Sequence, residues 1–312
     1  MNFIKVENIT KRFNDKLALD NISFNIEEGE VFGLIGPNGA GKSTLISIIT
    51  NLMLPNNGSV EIDGMSLKKD SIKVKSMLGL VPQELAIIET LNSYDNLEYF
   101  GSLCGLHGKL LKARINECLE ISGLTDVKKK KVNKLSGGMK RRLNIAIALI
   151  NHPKILILDE PTVGVDPQSR NHIFTVLKNL SKEKNTTIIY TSHYMEEVEN
   201  LCSKIFILDE GKEIASGDKD YLRGLVSSNT KISISANNLN GNIIFELKNL
   251  DGVLSVQEKD NNSLILTTDK SFSISKALNV LENNNSSLSK ITYEDSSLED
   301  VFLNLTGKNL RD

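Results

Sequence analysis

Cysteine is scarce and unpatterned in this chain. Three occur in 312 residues, Cys104, Cys118 and Cys202, and none stands in a Cys-x-x-Cys spacing. An odd, scattered set builds neither a disulfide framework nor a thiolate metal site, so a reduced, cytosolic protein is expected. The four histidines, His107, His152, His172 and His193, likewise lack metal-ligand spacing. Long apolar runs are missing too. Runs such as IAIALI at 145–150 fall far short of the roughly 20 residues that cross a bilayer, and MNFIKVENITKRF at the start has no signal-peptide core. Nor is there an excess of positive charge: 37 basic residues face 39 acidic ones, for a formal net charge of −2. That balance argues against a polyanion binder, and nucleic acid is not expected as a partner. No internal repeat is visible.

What is present is patterned. The first 222 residues alternate strand-like and helix-like segments. EVFGLIG (30–36), KILILD (154–159) and TTIIYTS (186–192) are short, aliphatic and rich in β-branched residues, as suits parallel strands buried on both faces. GSVEIDGMSL (58–67) and KIFILDEGKEIASG (204–217) carry Asp-Gly and Glu-Gly turns and read as hairpins or edge strands. Residues 84–134 read as a helical insertion with little strand signal. Beyond 222 the composition turns to Ser and Asn, and residues 226–312 are expected to form a small α+β domain. There VLSVQEKDNNSLILTTD (253–269) reads as a hairpin, and SSLEDVFLNLTG opens on a capping box, Ser297 with Asp300, and stops at Gly307.

Two stretches carry chemistry. Gly36-Pro37-Asn38-Gly39-Ala40-Gly41-Lys42-Ser43 matches G-x-x-x-x-G-K-[ST] between an expected strand and an expected helix. Glycines let backbone N–H groups wrap a phosphate, Lys42 supplies a point charge, Ser43 a hard oxygen for Mg²⁺, and Thr44 a hydroxyl within reach of the next phosphate. ILILDEP (155–161) ends a buried strand on two acids. Parallel strands deliver their C-terminal ends to a ligand crevice, so Asp159 is expected in the Mg²⁺ shell and Glu160 as the general base on an attacking water. A third stretch, LSGGMKRRL (135–143), also has the form of an anion site, a Ser-Gly-Gly turn opening a helix, although the first already suffices for one triphosphate.

Taken in order, the phosphate loop, LSGGM, ILILDEP, VGVDP and TSH make the chain resemble an ATP-binding cassette ATPase from residue 1 to about 220. The resemblance implies a P-loop NTPase fold: a mostly parallel α/β sheet with an antiparallel edge subdomain and a helical insertion. It implies ATP and Mg²⁺ as cofactors. Phe13 becomes the aromatic that stacks on adenine, Gln83 a contact to Mg²⁺ and water, His193 the switch histidine, and Asp166 an acid that communicates between subunits. The bland alternatives are a core aromatic for Phe13, a surface residue for Gln83, a strand-end histidine for His193 and a turn former before Pro167 for Asp166. The family's usual Gln after Ser-Gly-Gly is Met139 here, which leaves the phosphate contacts to Ser136, Gly137 and Gly138.

In this family the second glycine turn closes on the nucleotide of a partner subunit. The resemblance therefore implies a homodimer, each ATP held between one chain's Lys42 loop and the other's Ser136 turn. LSGGMKRRL and LEDVFLNLTG (298–307) also resemble ATPases of bacterial drug and antibiotic-resistance exporters. A cytoplasmic ATPase, peripheral on the membrane through a separate permease, is expected. The alternatives are an importer cassette or a soluble mechanochemical ATPase of ribosome or DNA-repair type, but one phosphate loop and no heptad repeat speak against the latter. Tyr94, Leu97, Tyr99 and Phe100 either form a groove for a permease helix or fill the insertion's own core.

Overall fold

A long hairpin, β1 (Asn2–Phe13) and β2 (Lys16–Glu27), precedes the first aliphatic run. The computed structural model describes residues 2–226, 229–260, 262–269, 271–294 and 297–307. The aliphatic run is β3 (Val31–Ile35), followed by the phosphate loop and α1 (Lys42–Ile49). The hairpin β4 (Asn57–Ile62) and β5 (Met65–Ser66) turns on Asp63 and Gly64, both with positive φ, the backbone an Asp-Gly hairpin turn requires. Next come α2 (Ser71–Ser76) and β6 (Leu78–Val81).

The insertion holds α3 (Ser93–Leu103) and α4 (Gly108–Ile121). Helix α4 buries Leu111, Ile115, Cys118 and Leu119, one stripe at helical spacing, and α3 and α5 (Gly137–Leu149) pack on it. Of the four residues considered for a groove, Leu97 is fully buried and belongs to this core, Tyr94 and Phe100 are half-buried, and only Tyr99 stands largely in solvent. Then follow β7 (Ile155–Leu158), α6 (Pro167–Lys184), β8 (Thr187–Ser192), α7 (Met195–Leu201), β9 (Lys204–Asp209), β10 (Lys212–Asp218) and α8 (Lys219–Val226).

Two sheets share this part of the chain. The larger runs β10-β9-β3-β8-β7-β6, parallel throughout except for β10. The smaller, β2-β1-β4-β5, is antiparallel. Helix α1 lies in the core they share, with Leu45, Ile46, Ile48 and Ile49 in one buried cluster alongside Ile4, Ile62 and Phe206. KIFILDEGKEIASG forms the hairpin its turn predicts: β9 pairs antiparallel with β10, which is the edge strand, while β9 also pairs with β3 and is buried from Ile205 to Asp209.

A second compact unit begins at Asp220. It comprises β11 (Asn229–Ala236), α9 (Gly241–Lys248), β12 (Val253–Asp260), β13 (Ser263–Asp269), α10 (Ile274–Asn283), β14 (Leu288–Glu294) and α11 (Leu298–Thr306). Its sheet is antiparallel in the order β12-β13-β11-β14, the split βαβ arrangement of ferredoxin-like folds. Ile232, Ile234, Leu264 and Leu266 of the sheet meet Ile243 and Leu247 of α9 and Ala277 and Leu281 of α10 in a separate core. Helix α11 carries the full capping box between Ser297 and Asp300 and ends at Gly307 with φ +68. Burial pushes the Asp300 carboxyl up, but the Lys231 ammonium at 2.7 Å and the Ser297 donors outweigh it and hold it below the usual range.

Because each unit has its own core, a chain lacking residues 226–312 is expected to unfold in one cooperative thermal transition with its nucleotide affinity kept. Scanning calorimetry and nucleotide titration check this; a truncated chain that cannot bind ATP would place the boundary elsewhere.

Candidate active site

Strand order decides which loops meet. β3, β8, β7 and β6 are parallel neighbours, so their C-terminal ends open on one edge of the sheet, with adjacent strands about 4.8 Å apart. After β3 comes the phosphate loop, after β8 His193, after β7 Asp159 and Glu160, and two residues past β6 Gln83. The hairpin adds Phe13 from the end of β1 and Lys16 from the start of β2.

The loop is fixed from behind. A Cβ on Gly36 would lie 2.0 Å from the Leu208 carbonyl oxygen. Gly41 has φ +112, and a Cβ there would come within 2.7 Å of the Ala18 oxygen. The Gly211 N–H donates to the Ala40 carbonyl at 2.9 Å, and the Asp20 N–H donates to the Gly211 carbonyl at 2.8 Å, so the β9–β10 turn ties the loop to the hairpin. Lys42, only 6% exposed, donates from Nζ to the carbonyls of Gly36 at 2.7 Å and Pro37 at 3.1 Å. Burial pushes its ammonium down; the nearby Glu160 and Asp159 carboxylates oppose this only in part.

Glu160 is the point of convergence. Oε1 lies 3.7 Å from Lys42 Nζ, Oε2 accepts from Gln83 Nε2 at 3.1 Å, and His193 Nδ1 lies 3.5 Å from Oε2. Its φ of +46 is the left-handed region, a conformation that costs a residue with a Cβ about 1–3 kcal/mol and collects at functional sites. Asp159 accepts at Oδ2 from the Ser43 hydroxyl at 3.1 Å and at Oδ1 from Thr191 Oγ1 at 2.8 Å. The Glu160 N–H donates to the same Thr191 oxygen at 2.9 Å. In front of these groups a cleft of about 710 Å³ opens, with Phe13, Lys16, Ser43, Gln83 and Glu160 among its walls. Phe13 is 43% exposed, more than a core aromatic would be, with Lys11 Nζ 5.3 Å from its ring centroid.

Ser136, Gly137, Gly138 and Asp166 do not line this cleft. They form a second cluster of two helix starts. Ser136 caps α5 by accepting the Met139 N–H at 3.2 Å, and Asp166 caps α6 by accepting the Ser169 N–H at 2.9 Å. That bond from Ser169 holds the Asp166 carboxyl below its ordinary value. Gly138 makes the approach possible, since a Cβ there would lie 2.2 Å from Ser169 Oγ and 2.5 Å from Asp166 Oδ2. Ser136, Gly137 and Asp166 are exposed.

Residues 19–163 match the family model described as ABC transporter. The chain is 42% identical to the linearmycin resistance ATP-binding protein LnrL of Bacillus subtilis, over 99% of this chain and 100% of that one. It is 34% identical to the daunorubicin resistance ATP-binding protein DrrA2 of Streptomyces coeruleorubidus, over 97% and 95% of the two. The chain belongs to the ATP-binding cassette transporter family. Among solved structures it resembles the dimeric post-hydrolysis state of the cassette MJ0796 bound to ADP and phosphate, with a TM-score of 0.63 and 30% identity over 69% of this chain and 98% of that one. The likeness to LnrL spans 99% of this chain, that to MJ0796 69%. This cassette is an ATP-binding and ATP-hydrolysing enzyme that powers transport, and its relatives are subunits of resistance and export systems rather than soluble factors. Cassettes of this family act as dimers with membrane permeases. Among the described residues no helix is long and apolar enough to cross a membrane.

Reading the sequence alone missed several residues of this cassette's site. Thr191 holds both tandem acids, and Ser169 completes the α6 cap. Arg141 of α5 is buried and donates to the carbonyls of Pro82 at 2.9 Å and Gln83 at 2.6 Å, fastening the Gln83 loop to the helix that begins at the Ser-Gly-Gly turn. A basic residue inside LSGGMKRRL reads as part of a charged face, so no sequence signal marked its inward turn.

Gly138→Ala is expected to push the two helix starts apart. Nucleotide affinity at the phosphate loop should stay within about threefold while hydrolysis falls at least tenfold, as isothermal titration and steady-state phosphate release would report.

Proposed function

We propose that this chain is the ATP-hydrolysing motor of a membrane exporter for drug- or antibiotic-type cargo, acting as a homodimer on a separate permease at the cytoplasmic face of the membrane. The observation that carries the chemistry is the Glu160 carboxylate, held in a left-handed turn within reach of Lys42, Gln83 and His193. Glu160 accepts the proton of the attacking water. His193, whose buried Nδ1 makes no hydrogen bond among the described residues, orients that water and the terminal phosphate. Phe13 stacks on the adenine. Residues Gly36–Thr44 wrap the phosphates with backbone N–H groups, the α1 N-terminus and the Lys42 charge.

The donor set fits Mg²⁺. Ser43 Oγ and Asp159 Oδ2 are hard oxygens 3.1 Å apart at the mouth of the loop, and the Gln83 side chain lies beside Glu160. When bound there, the ion would neutralise charge on the phosphate oxygens.

The Ser136–Gly138 turn with Asp166 does not line the chain's own cleft, and we assign it to the nucleotide of the second copy. A hydrogen bond to a charged group contributes about 1.5–3 kcal/mol. Two or three such bonds, made only while the terminal phosphate is present, supply the roughly 5.5 kcal/mol that takes a two-state equilibrium from mostly open to mostly closed. ATP thus closes the dimer and hydrolysis reopens it. The cargo class rests on the names of the relatives: LnrL and DrrA2 are resistance proteins.

Glu160→Gln keeps the shape and removes the base. It is expected to lower hydrolysis by at least a hundredfold, leave ATP affinity intact and accumulate an ATP-bound dimer on a sizing column with light-scattering detection. A variant that hydrolyses at the wild-type rate would remove Glu160 from the mechanism, and one that stays monomeric with ATP at high concentration would rule out the sandwich.

A further inference from the structure

Glu197 of α7 is 3% exposed, yet the chemistry proposed above leaves it without a task. Its Oε2 accepts three hydroxyl bonds: from Thr162 at 2.7 Å, Tyr190 at 2.8 Å and Ser192 at 2.9 Å. Its Oε1 lies 3.3 Å from Arg170 Nε of α6. Burial and the neighbouring Glu197 charge push the Tyr190 phenol well above its ordinary value, so that hydroxyl stays a donor.

Each partner sits next to a group of the site. Thr162 stands two residues past Glu160. Ser192 immediately precedes His193, and its oxygen also accepts the Tyr194 N–H at 2.9 Å, closing a short loop around His193. Arg170 lies one helical turn along the helix that Asp166 caps. One buried carboxylate therefore fastens the segment after the base, the turn that presents the histidine and the helix behind the partner-facing cap.

We propose that Glu197 is a positioning residue for hydrolysis: through Ser192 and Thr162 it fixes the separation of His193 and Glu160. It does not line the cleft. The arrangement explains why a carboxylate occupies this place, since an ionised carboxyl group is acceptor-only, whereas an amide whose oxygen kept the three hydroxyls would turn its own N–H₂ toward the Arg170 guanidinium, donor against donor. The proposal rests on Glu160 and His193 acting on the attacking water.

The test uses the full-length chain. Glu197→Gln, Ser192→Ala and Thr162→Val each remove part of the fastening without entering the cleft. Each is expected to lower kcat for ATP about tenfold, with KM and the affinity for ATP, titrated in the Glu160→Gln background, within threefold of the parent. Because Ser192 and Glu197 act through one bond, the Glu197→Gln/Ser192→Ala double variant should be no slower than the slower single variant. If Glu197→Gln fails to fold, Ser192→Ala and Thr162→Val still decide the matter, since they leave the buried charge paired with Arg170. A wild-type kcat in these variants, a raised KM at unchanged kcat, or losses that multiply in the double variant would overturn the positioning role. A Glu160→Gln enzyme that still hydrolyses ATP would instead overturn the mechanism on which it rests.

Discussion

A lysine ammonium that is 6% exposed is costly unless its surroundings answer it, and the cassette is arranged around that answer. Lys42 is held by two carbonyls of its own loop and approached by Glu160. Carbonyls reach it only because the loop doubles back, and the loop doubles back only because Gly36 and Gly41 lie where any Cβ would strike backbone. The carboxylate reaches it because β7 ends one strand beyond the neighbour of β3 in the sheet. Loop, acid and strand order thus express a single electrostatic requirement, and in the proposed site a triphosphate brought to the loop would meet a charge already desolvated.

In the proposed dimer the two clusters of one chain need a mechanical link, because a turn that moved independently would report nothing about the nucleotide in the cleft. The structure has continuous contacts of that kind. Arg141 joins the helix behind the Ser136 turn to the carbonyl of Gln83, whose side chain bonds Glu160. Gly138 rests against the Asp166–Ser169 cap, and the same α6 reaches Glu197 through Arg170. These are short paths of hydrogen bonds and close contacts, with the buried Arg141, Glu160 and Glu197 as their fixed points.

Much of this was legible in the sequence. The phosphate loop, the tandem acids and the Ser-Gly-Gly turn announce themselves because each needs particular residue types at fixed spacing. The three aliphatic runs gave β3, β7 and β8 because strands buried on both faces leave no polar position. The β1–β2 hairpin was harder to see: it mixes Lys, Glu and Asn with Ile and Val, and Asn8 and Asn21, with positive φ, interrupt its alternation. The split βαβ order of the second unit depends on long-range pairing between β11, β13 and β14, which no local pattern encodes. Glu197 sits in HYMEEVEN among two other glutamates, and nothing local distinguishes the buried one from the exposed face of a short helix.

Met139, where the family usually has Gln, becomes intelligible from the cap itself. What the Ser136 cap takes from position 139 is its backbone N–H, which any residue but proline supplies. Asn or Asp would cap the helix as well as Ser. In the proposed sandwich, however, an aspartate would set a negative charge against phosphate, and an asparagine capping through Oδ1 would have to reach the phosphate with its separate Nδ2 group. A serine hydroxyl has two lone pairs and one proton, so it can accept the capping N–H and donate to phosphate at the same time. The side chain at 139 contributes to neither bond, and the residue whose one hydroxyl can make both is the serine before the two glycines.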